Sequence, residues 1–449
     1  MELRELIATA GDEHDLWART INPQFVRVLR TIGFDRSWVR SEGVYLIDAN
    51  GDRYLDMLGG FGMYSVGRNN PRIRAALIEA LELDTPGMLA LGVTALPGLL
   101  ADELIKLAGG RIERCLFTSS GTEAVEAALK LGRAATKRSR VISTDHGFHG
   151  LTLGSLSANG NPEFTRRFQP LLPGFSHVPF GDLDALEREL RSEDVAVFIV
   201  EPIQGKGVNL PPPGFLEGAQ ELCRRYGTLF CLDEVQTGFG RTGTMFAFEH
   251  WGLEPDLVPV AKSLSGGYVP VGALLMSRAV HEAVFDSMSN ALSHGSTFAP
   301  NELAMAAGLA TLRELDEQQL VARSAELGAR LLELTRPLVD EFDVVRDVRG
   351  LGLMWAIEFE GDGRMYRMLE RAQRGLFAQL VVVPLFSEHR ILTQVAGHDM
   401  AVVKILPPLM LGDDDLELFV GALRETVKKA RRMPSSLTKF ALNAAGIGR

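Results

Sequence analysis

Residues 114–136 read RCLFTSSGTEAVEAALKLGRAAT. A short apolar run ends in a turn of small residues. Beyond Gly121, the residues Val125, Ala128, Leu129 and Gly132 recur at helical spacing. The pattern predicts a strand, a tight turn and then a helix over residues 122–136 with one buried face, beginning directly after the strand. A strand that feeds a helix is the repeating unit of a mostly parallel sheet. Outward from this unit the alternation continues, with RVISTD (140–145), VAVFIVEP (195–202), LFCLDEV (229–235) and LVPVAKS (257–263) as further strands. The fold class is therefore α/β.

After about residue 315 the character changes. A long helical stretch from Glu317 to Glu341 gives way to DVRGLGLMWAIEFE (347–360), QLVVVPLF (379–386), RILTQVA (390–396) and VVKILPPLML (402–411), which read as strands of a smaller sheet. Near the start, WVRSEGVYLIDANGDRYLDM (38–57) reads as strand, Asn-Gly turn, strand, and joins that smaller unit. A chain of 449 residues exceeds what one core usually supports. The expected organisation is an N-terminal segment over 1–65 belonging to a small domain, a large domain over 66–315 and a C-terminal small domain over 316–449.

Acids outnumber bases, 57 to 47, for a formal net charge of −10, and the basic run KKARR (428–432) stands near the C-terminus. Nucleic acid is a poor partner for such a chain, and the run reads as a solvated helix end where positive charge suits the dipole. No stretch approaches the roughly 18 consecutive apolar residues of a membrane span. MELRELIATAGDEHDLW (1–17) lacks the basic start and the cleavage site of a secretory signal and reads as mature cytoplasmic sequence. Cys115, Cys223 and Cys231 are odd in number and have no metal-like spacing, so buried thiols are expected and no metal site.

Three places carry chemistry. In TSSGTEA (118–124) a strand ends and a helix begins, and free backbone N–H groups, the helix dipole and the hydroxyls of Ser120 and Thr122 make a seat for a phosphate. An ordinary helix cap has the same sequence. In LFCLDEVQTGFGRTG (229–243), Asp233 follows a buried run and needs a cationic partner, which a protonated pyridinium nitrogen would supply. A plain salt bridge, made by Asp233 or by Glu234, is the alternative. In LVPVAKSLSGGYVPVGA (257–273), Lys262 ends an apolar run before a Gly-rich loop, a dry setting that favours the neutral amine of Schiff-base chemistry. A surface lysine at a strand end is the alternative there. Phosphate seat, ring-nitrogen partner and imine lysine are three requirements of one cofactor, pyridoxal 5'-phosphate (PLP).

Taken together, SSGTEAVEAALKLGRAAT (119–136), HGFHG (146–150), EPIQGKGV (201–208), LDEVQTGFGRTG (232–243) and AKSLSGGYVPVGA (261–273) resemble the signature set of class III, omega-type aminotransferases, the group with ornithine, acetylornithine, putrescine and GABA aminotransferases. The resemblance covers nearly the whole chain. It implies the PLP-dependent transferase fold of type I, in which a large PLP-binding domain with a mostly parallel seven-stranded sheet stands beside a smaller α+β domain. Position by position it implies that Ser120, Gly121 and Thr122 bind the phosphate, Phe148 stacks on the cofactor and Val235 packs on its other face. Gln236 reaches the phenolic oxygen, Asp233 the ring nitrogen, and Lys262 is the Schiff-base lysine and proton shuttle. His149, Glu201 and Ser296 complete the implied cofactor set. Thr297 of GSTF (295–298) matches a residue that reaches the phosphate of the neighbouring subunit, which implies a homodimer with active sites at its interface. The implied reaction is a ping-pong amino transfer between an amine or omega-amino substrate, or its aldehyde, and an oxo acid.

The chain departs from ornithine-type relatives at two positions. Where they carry a glutamate after EPIQG and an arginine before the Pro-Pro, this sequence has Lys206 and Lys404, so the pair that gates carboxylate recognition cannot form. Lysine lacks the two-pronged fit of guanidinium to carboxylate. One substrate is therefore expected to be an amine or aldehyde without an α-carboxylate at the reacting carbon, unless Lys206 pairs with a nearby acid and Lys404 alone holds the carboxylate. Met63 and Tyr64, in GGFGMYSVGRNNP (59–71), are further candidates for substrate contact or for core. A PLP aminomutase, epimerase or decarboxylase remains the alternative within the fold, because these use the same lysine and aspartate. A PLP-binding regulator lacks support for want of a helix-turn-helix or basic extension, and a dinucleotide oxidoreductase for want of GxGxxG after a first strand.

Overall fold

The computed structural model describes residues 2–431 except 87–90, 362–365, 368–369 and 372–373. After three N-terminal helices the chain forms an antiparallel meander of β1 (Trp38–Glu42), β2 (Tyr45–Asp48) and β3 (Arg53–Asp56). The expected Asn-Gly turn joins β2 to β3, and Asp48 Oδ1 holds it by accepting from the N–H groups of Asn50 and Asp52 at 2.9 Å each. A further turn at Gly43 splits the preceding segment, so there are three strands here where two were expected.

The main sheet is built from β4 (Ile112–Thr118), β5 (Arg140–Thr144), β6 (Phe175–Val178), β7 (Val195–Val200), β8 (Leu229–Leu232), β9 (Leu257–Val260) and β10 (Gly272–Ser277), in the spatial order β4-β10-β9-β8-β7-β5-β6. Strands β5 to β9 pair in parallel, and β10 alone runs against its neighbours β4 and β9. It follows that β4 points the same way as the parallel five. Every residue of β7 is buried, because elements cover both faces of the sheet; hence its unbroken apolar sequence VAVFIV. The opening stretch folds as its pattern predicts, into β4 and a helix over Gly121–Thr136 whose buried face includes Val125, Ala128, Leu129 and Gly132. Gly132 permits the contact with the sheet: a Cβ there would stand 2.2 Å from Val197 Cγ2 on β7.

The expected helical stretch after residue 317 is a helix over Leu320–Thr335 and a short one over Leu338–Glu341. Beyond it lie β11 (Val345–Leu351), β12 (Met354–Phe359), β13 (Ile391–Leu392), β14 (Gln394–Ala396) and β15 (Val402–Ile405). One small sheet has the order β11-β12-β15-β14, while β13 joins the N-terminal meander by pairing in parallel with β3. RILTQVA is thus shared between two sheets.

The segment QLVVVPLF corrects the sequence reading: it is not a strand but part of a helix over Leu376–Ser387. Phe386 packs on Phe34, Tyr54 and Trp38, with the Phe34 ring centroid at 4.1 Å, and the helix also contacts the C-terminal helix over Asp413–Arg431. A helix covered on nearly all sides has no polar face, and its apolar run then loses the period that would separate it from a buried strand.

Asp413, Asp414 and Asp415 open the C-terminal helix and Lys428, Lys429 and Arg431 close it, each sign at the end that suits the dipole. Arg432 and the remainder of the expected C-terminal domain, to residue 449, lie outside the described residues. The cysteines are unpaired, Cys223 and Cys231 buried and Cys115 half-buried. Among the described residues no helix is long and apolar enough to cross a membrane, and no cluster of His, Cys, Asp or Glu could hold a metal ion.

Candidate active site

Five strands of the main sheet that point the same way, β4, β5, β7, β8 and β9, deliver their following residues to one cavity of about 950 Å³. In such sheets the carboxyl ends of the strands are where ligands bind, because the chain turns there and leaves polar groups unpaired. Ser119 to Thr122 follow β4, Phe148 and His149 follow β5, Glu201 follows β7, Asp233 and Val235 follow β8, and Lys262 follows β9, and all of them line the cavity. Gln236, Lys206, Lys404 and Met63 line it too. Tyr64, the other candidate from the entrance stretch, is not in the wall; its ring lies under the Arg68 guanidinium at 4.0 Å.

Asp233 is buried at 4% exposure, so its charge needs compensation from within the protein. His149 Nδ1 lies 2.8 Å from Asp233 Oδ2, and the N–H of Val235 donates to Oδ1 at 3.1 Å. Burial alone would push the His149 imidazolium down; the hydrogen bond and charge of Asp233, with the charge of Glu201, outweigh it, and the net shift is upward. His149 is thus the side chain that faces the Asp233 carboxylate within the protein. Glu234, the other acid of the motif, is also buried but forms no ion pair among the described residues: it accepts from the Thr237 hydroxyl and, at 2.8 Å, from the N–H of Phe248. Burial raises its carboxyl to about 7.

Lys262 is half-buried and its backbone sits at φ 41°, in the left-handed region that costs a non-glycine residue roughly 1 kcal/mol or more. Burial lowers its ammonium pKa, with Asp233 and Glu201 opposing. Glu201 is a hub of the site. Its carboxylate accepts from the N–H of Phe148 at 2.9 Å and from that of Gly205 at 2.7 Å, so it fixes the aromatic wall and the opposite rim together. Burial raises its carboxyl as well.

The remaining groups fit PLP. The Gly121–Thr136 helix begins at the cavity wall, where Gly121 and Thr122 line it, while the Ser120 hydroxyl caps the helix by accepting from the N–H of Glu123 at 3.3 Å. Gly121 keeps this turn tight against the opposite wall, since a Cβ there would lie 2.9 Å from Val235 Cγ1. The Thr122 hydroxyl is shared with Ser155 at 2.6 Å and Thr152 at 2.8 Å, which holds the turn in place. Two buried polar atoms at the site, Gln236 Oε1 and His149 Nε2, have no hydrogen-bond partner among the described residues.

Ser296 and Thr297 are not brought into this cavity. They line a neighbouring one of about 850 Å³ that shares the walls Ser119, Val269 and Pro270, and Ser296 Oγ lies 3.1 Å from Ser119 Oγ. Lys404, on β15, donates to the carbonyl of Gly205 at 2.7 Å, and Lys206 pairs with Glu163. Burial first, then the charge of Lys262, pushes the Lys404 ammonium down to about 7. Sequence reasoning missed Glu163 and Phe164, which sit on a helix of only four residues, too short to leave a periodic signal. It also missed Phe61 and Tyr268, although both stand inside stretches it singled out.

Fold and site together define a PLP-dependent transferase. Residues 33–427 match the family Aminotransferase class-III, and the chain belongs to that family. It is 34% identical over 448 residues to the aminotransferase PigE of Serratia sp. (strain ATCC 39006), an alignment that takes in 92% of this chain and 52% of the relative. The chain thus spans about half the length of that curated relative. Among solved structures it resembles the ornithine aminotransferase of Toxoplasma gondii ME49, with 31% identity, a TM-score of 0.79 and coverage of 88% of this chain and 91% of the other. An amine transaminase from an uncultivated Pseudomonas species, in its PLP-bound form, matches with 31% identity, a TM-score of 0.79 and coverage of 88% and 94%. The cofactor is PLP.

Proposed function

We propose that this chain is a ping-pong aminotransferase that moves an amino group between an oxo acid and an amine or aldehyde lacking an α-carboxylate at the reacting carbon. The observation that carries the reading is the placement of Lys262 and Asp233 on one cavity, at the ends of adjacent strands β9 and β8, with Asp233 paired to His149 from the end of β5.

When bound, PLP supplies an aldehyde that condenses with amines and a ring that spreads carbanion charge. Lys262 Nζ would hold the cofactor's aldehyde; once free, with its pKa lowered by burial, it would take a proton from the substrate carbon and deliver it to the carbon that was the cofactor's aldehyde. Asp233, held by its contact with His149, would favour a protonated ring nitrogen. Phe148 and Val235 would offer apolar surface to the ring, Gln236 would reach the phenolic oxygen, and the Ser120–Thr122 turn would seat the phosphate. Lys206 is paired with Glu163, and Lys404 donates to a carbonyl and lacks the two-pronged fit of a guanidinium, which supports a substrate without an α-carboxylate.

The same reading makes the enzyme a homodimer whose Thr297 serves the partner's phosphate. In support, Leu81 and Phe298 stay 69% and 64% exposed on the cavity that holds Thr297, an apolar surface suited to a second copy. Residues 1–65 and 316–449 would form one small domain beside 66–315, supported by the β3–β13 pairing. Three unpaired cysteines support a cytoplasmic setting, which cell fractionation checks.

The test is a donor panel of a diamine, a monoamine, ornithine and β-alanine, followed by cofactor absorbance with oxo products analysed. Amines without an α-carboxylate should discharge the absorbance fastest and give the matching aldehyde. A clear preference for reaction at a carboxylate-bearing carbon, seen as ornithine giving the 2-oxo acid and not the terminal aldehyde, or a product that keeps its nitrogen, would defeat the proposal.

A further inference from the structure

The cavity wall contains three lysines, Lys206, Lys262 and Lys404, and no arginine. Lys262 belongs to the chemistry and Lys404 is turned to the carbonyl of Gly205. Lys206 stands at the rim, its backbone carbonyl tied by the N–H of Gly397 at 2.9 Å. Its ammonium pairs with the carboxylate of Glu163 and lies 5.0 Å from the centre of the Phe164 ring, which in turn sets its edge against Phe148 at 4.9 Å. The Lys206 side chain is only 16% exposed, whereas Glu163 keeps 50% of its own surface open. An ammonium this well covered could serve an anion inside the cavity, but Glu163 already neutralises it from the solvent side. Phe61, Met63, Phe164 and Val395 add apolar surface to the lining.

We propose that the Lys206–Glu163 pair sets the specificity of the cavity rim: Glu163 neutralises the rim cation that could greet a carboxylate at the far end of a substrate, so apolar amines enter and amino acids with a distal carboxylate are refused. The proposal rests on the aminotransferase reading and adds a determinant to it. Glu163 comes from the short helix Pro162–Thr165 and is far from Lys206 in sequence, so the acid has moved to a different element from the Glu-Arg pair of ornithine-type relatives. Removing its charge frees Lys206 without disturbing a buried group.

Hexylamine and 6-aminohexanoate separate the cases, since they share an amine and five methylenes and differ in a terminal carboxylate. In the PLP-loaded enzyme, Glu163→Gln should raise the kcat/KM ratio of 6-aminohexanoate to hexylamine by about 5-fold, the scale of a partly exposed charge pair, and through KM. Adding Lys206→Met should return the ratio to its starting value. Hexanoate, which cannot react, gives a second readout: calorimetry should find it binding more tightly to Glu163→Gln by a similar factor. An unchanged ratio together with unchanged hexanoate binding would overturn the proposal. Were neither amine consumed by the unaltered enzyme, the aminotransferase reading would fall, and hexanoate binding would still decide the role of the pair.

Discussion

Lys404 is a buried ammonium that donates to the carbonyl of Gly205 and forms no ion pair among the described residues. Its pKa falls from 10.5 to about 7 on folding, chiefly through burial. Between those values the unfolded chain binds a proton that the folded chain does not, so this group's contribution to stability rises with pH through that window, and its full cost is felt below pH 7. Replacing it by methionine, of similar length and without charge, removes the cost. Urea midpoints should therefore favour Lys404→Met most strongly below pH 7, with the gap closing towards pH 10.5; a gap that widens with pH contradicts the assignment. Lys262 and Asp233 were legible in the sequence because each closes an apolar run, which marks the end of a buried strand. Their company was not. His149 reaches Asp233 across 84 positions and Glu163 reaches Lys206 across 43, and pairings of that kind are set by how strands and short helices are arranged, which no local pattern encodes.

The helix over Gly121–Thr136 joins the phosphate seat to the core, and Gly132 is where it comes closest to β7. Gly132→Ala gains about 1 kcal/mol of helix propensity. Against that, the new methyl must displace Val197 or push the helix off the sheet, and overpacking of a full core costs roughly 1–3 kcal/mol. Net destabilisation is expected in urea unfolding, with PLP affinity reduced because the helix start moves with its body; a more stable variant would show that the contact is slack. This element was readable from sequence because one face is buried and the other is not, which leaves the 3.6-residue period visible. The helix over Leu376–Ser387 was misread for the opposite reason, being buried at Leu376, Phe377, Ala378, Leu380, Val381, Val382, Leu385 and Phe386. Two strands of the main sheet carried too little pattern to be found: β6 has four residues, and β10 follows directly on the Gly-rich loop.

Across the whole molecule, the α/β class and the mostly parallel sheet followed from alternating strands and helices, whereas the sharing of residues 390–396 between two small sheets depends on long-range pairing. The proposed dimer makes a prediction of its own. Phe298→Asp places a charge on the apolar surface beside Thr297, and sedimentation should then shift from the mass of two chains to that of one, with weaker PLP retention; a wild-type protein that sediments as a single chain would remove the second subunit from the site. The account as a whole depends on a covalent bond between one amine and the cofactor's aldehyde. Protein incubated with PLP, reduced with borohydride and digested should carry the added pyridoxyl mass on the peptide containing Lys262, and Lys262→Ala should carry none. The modification found on another lysine, or on no residue at all, would contradict it.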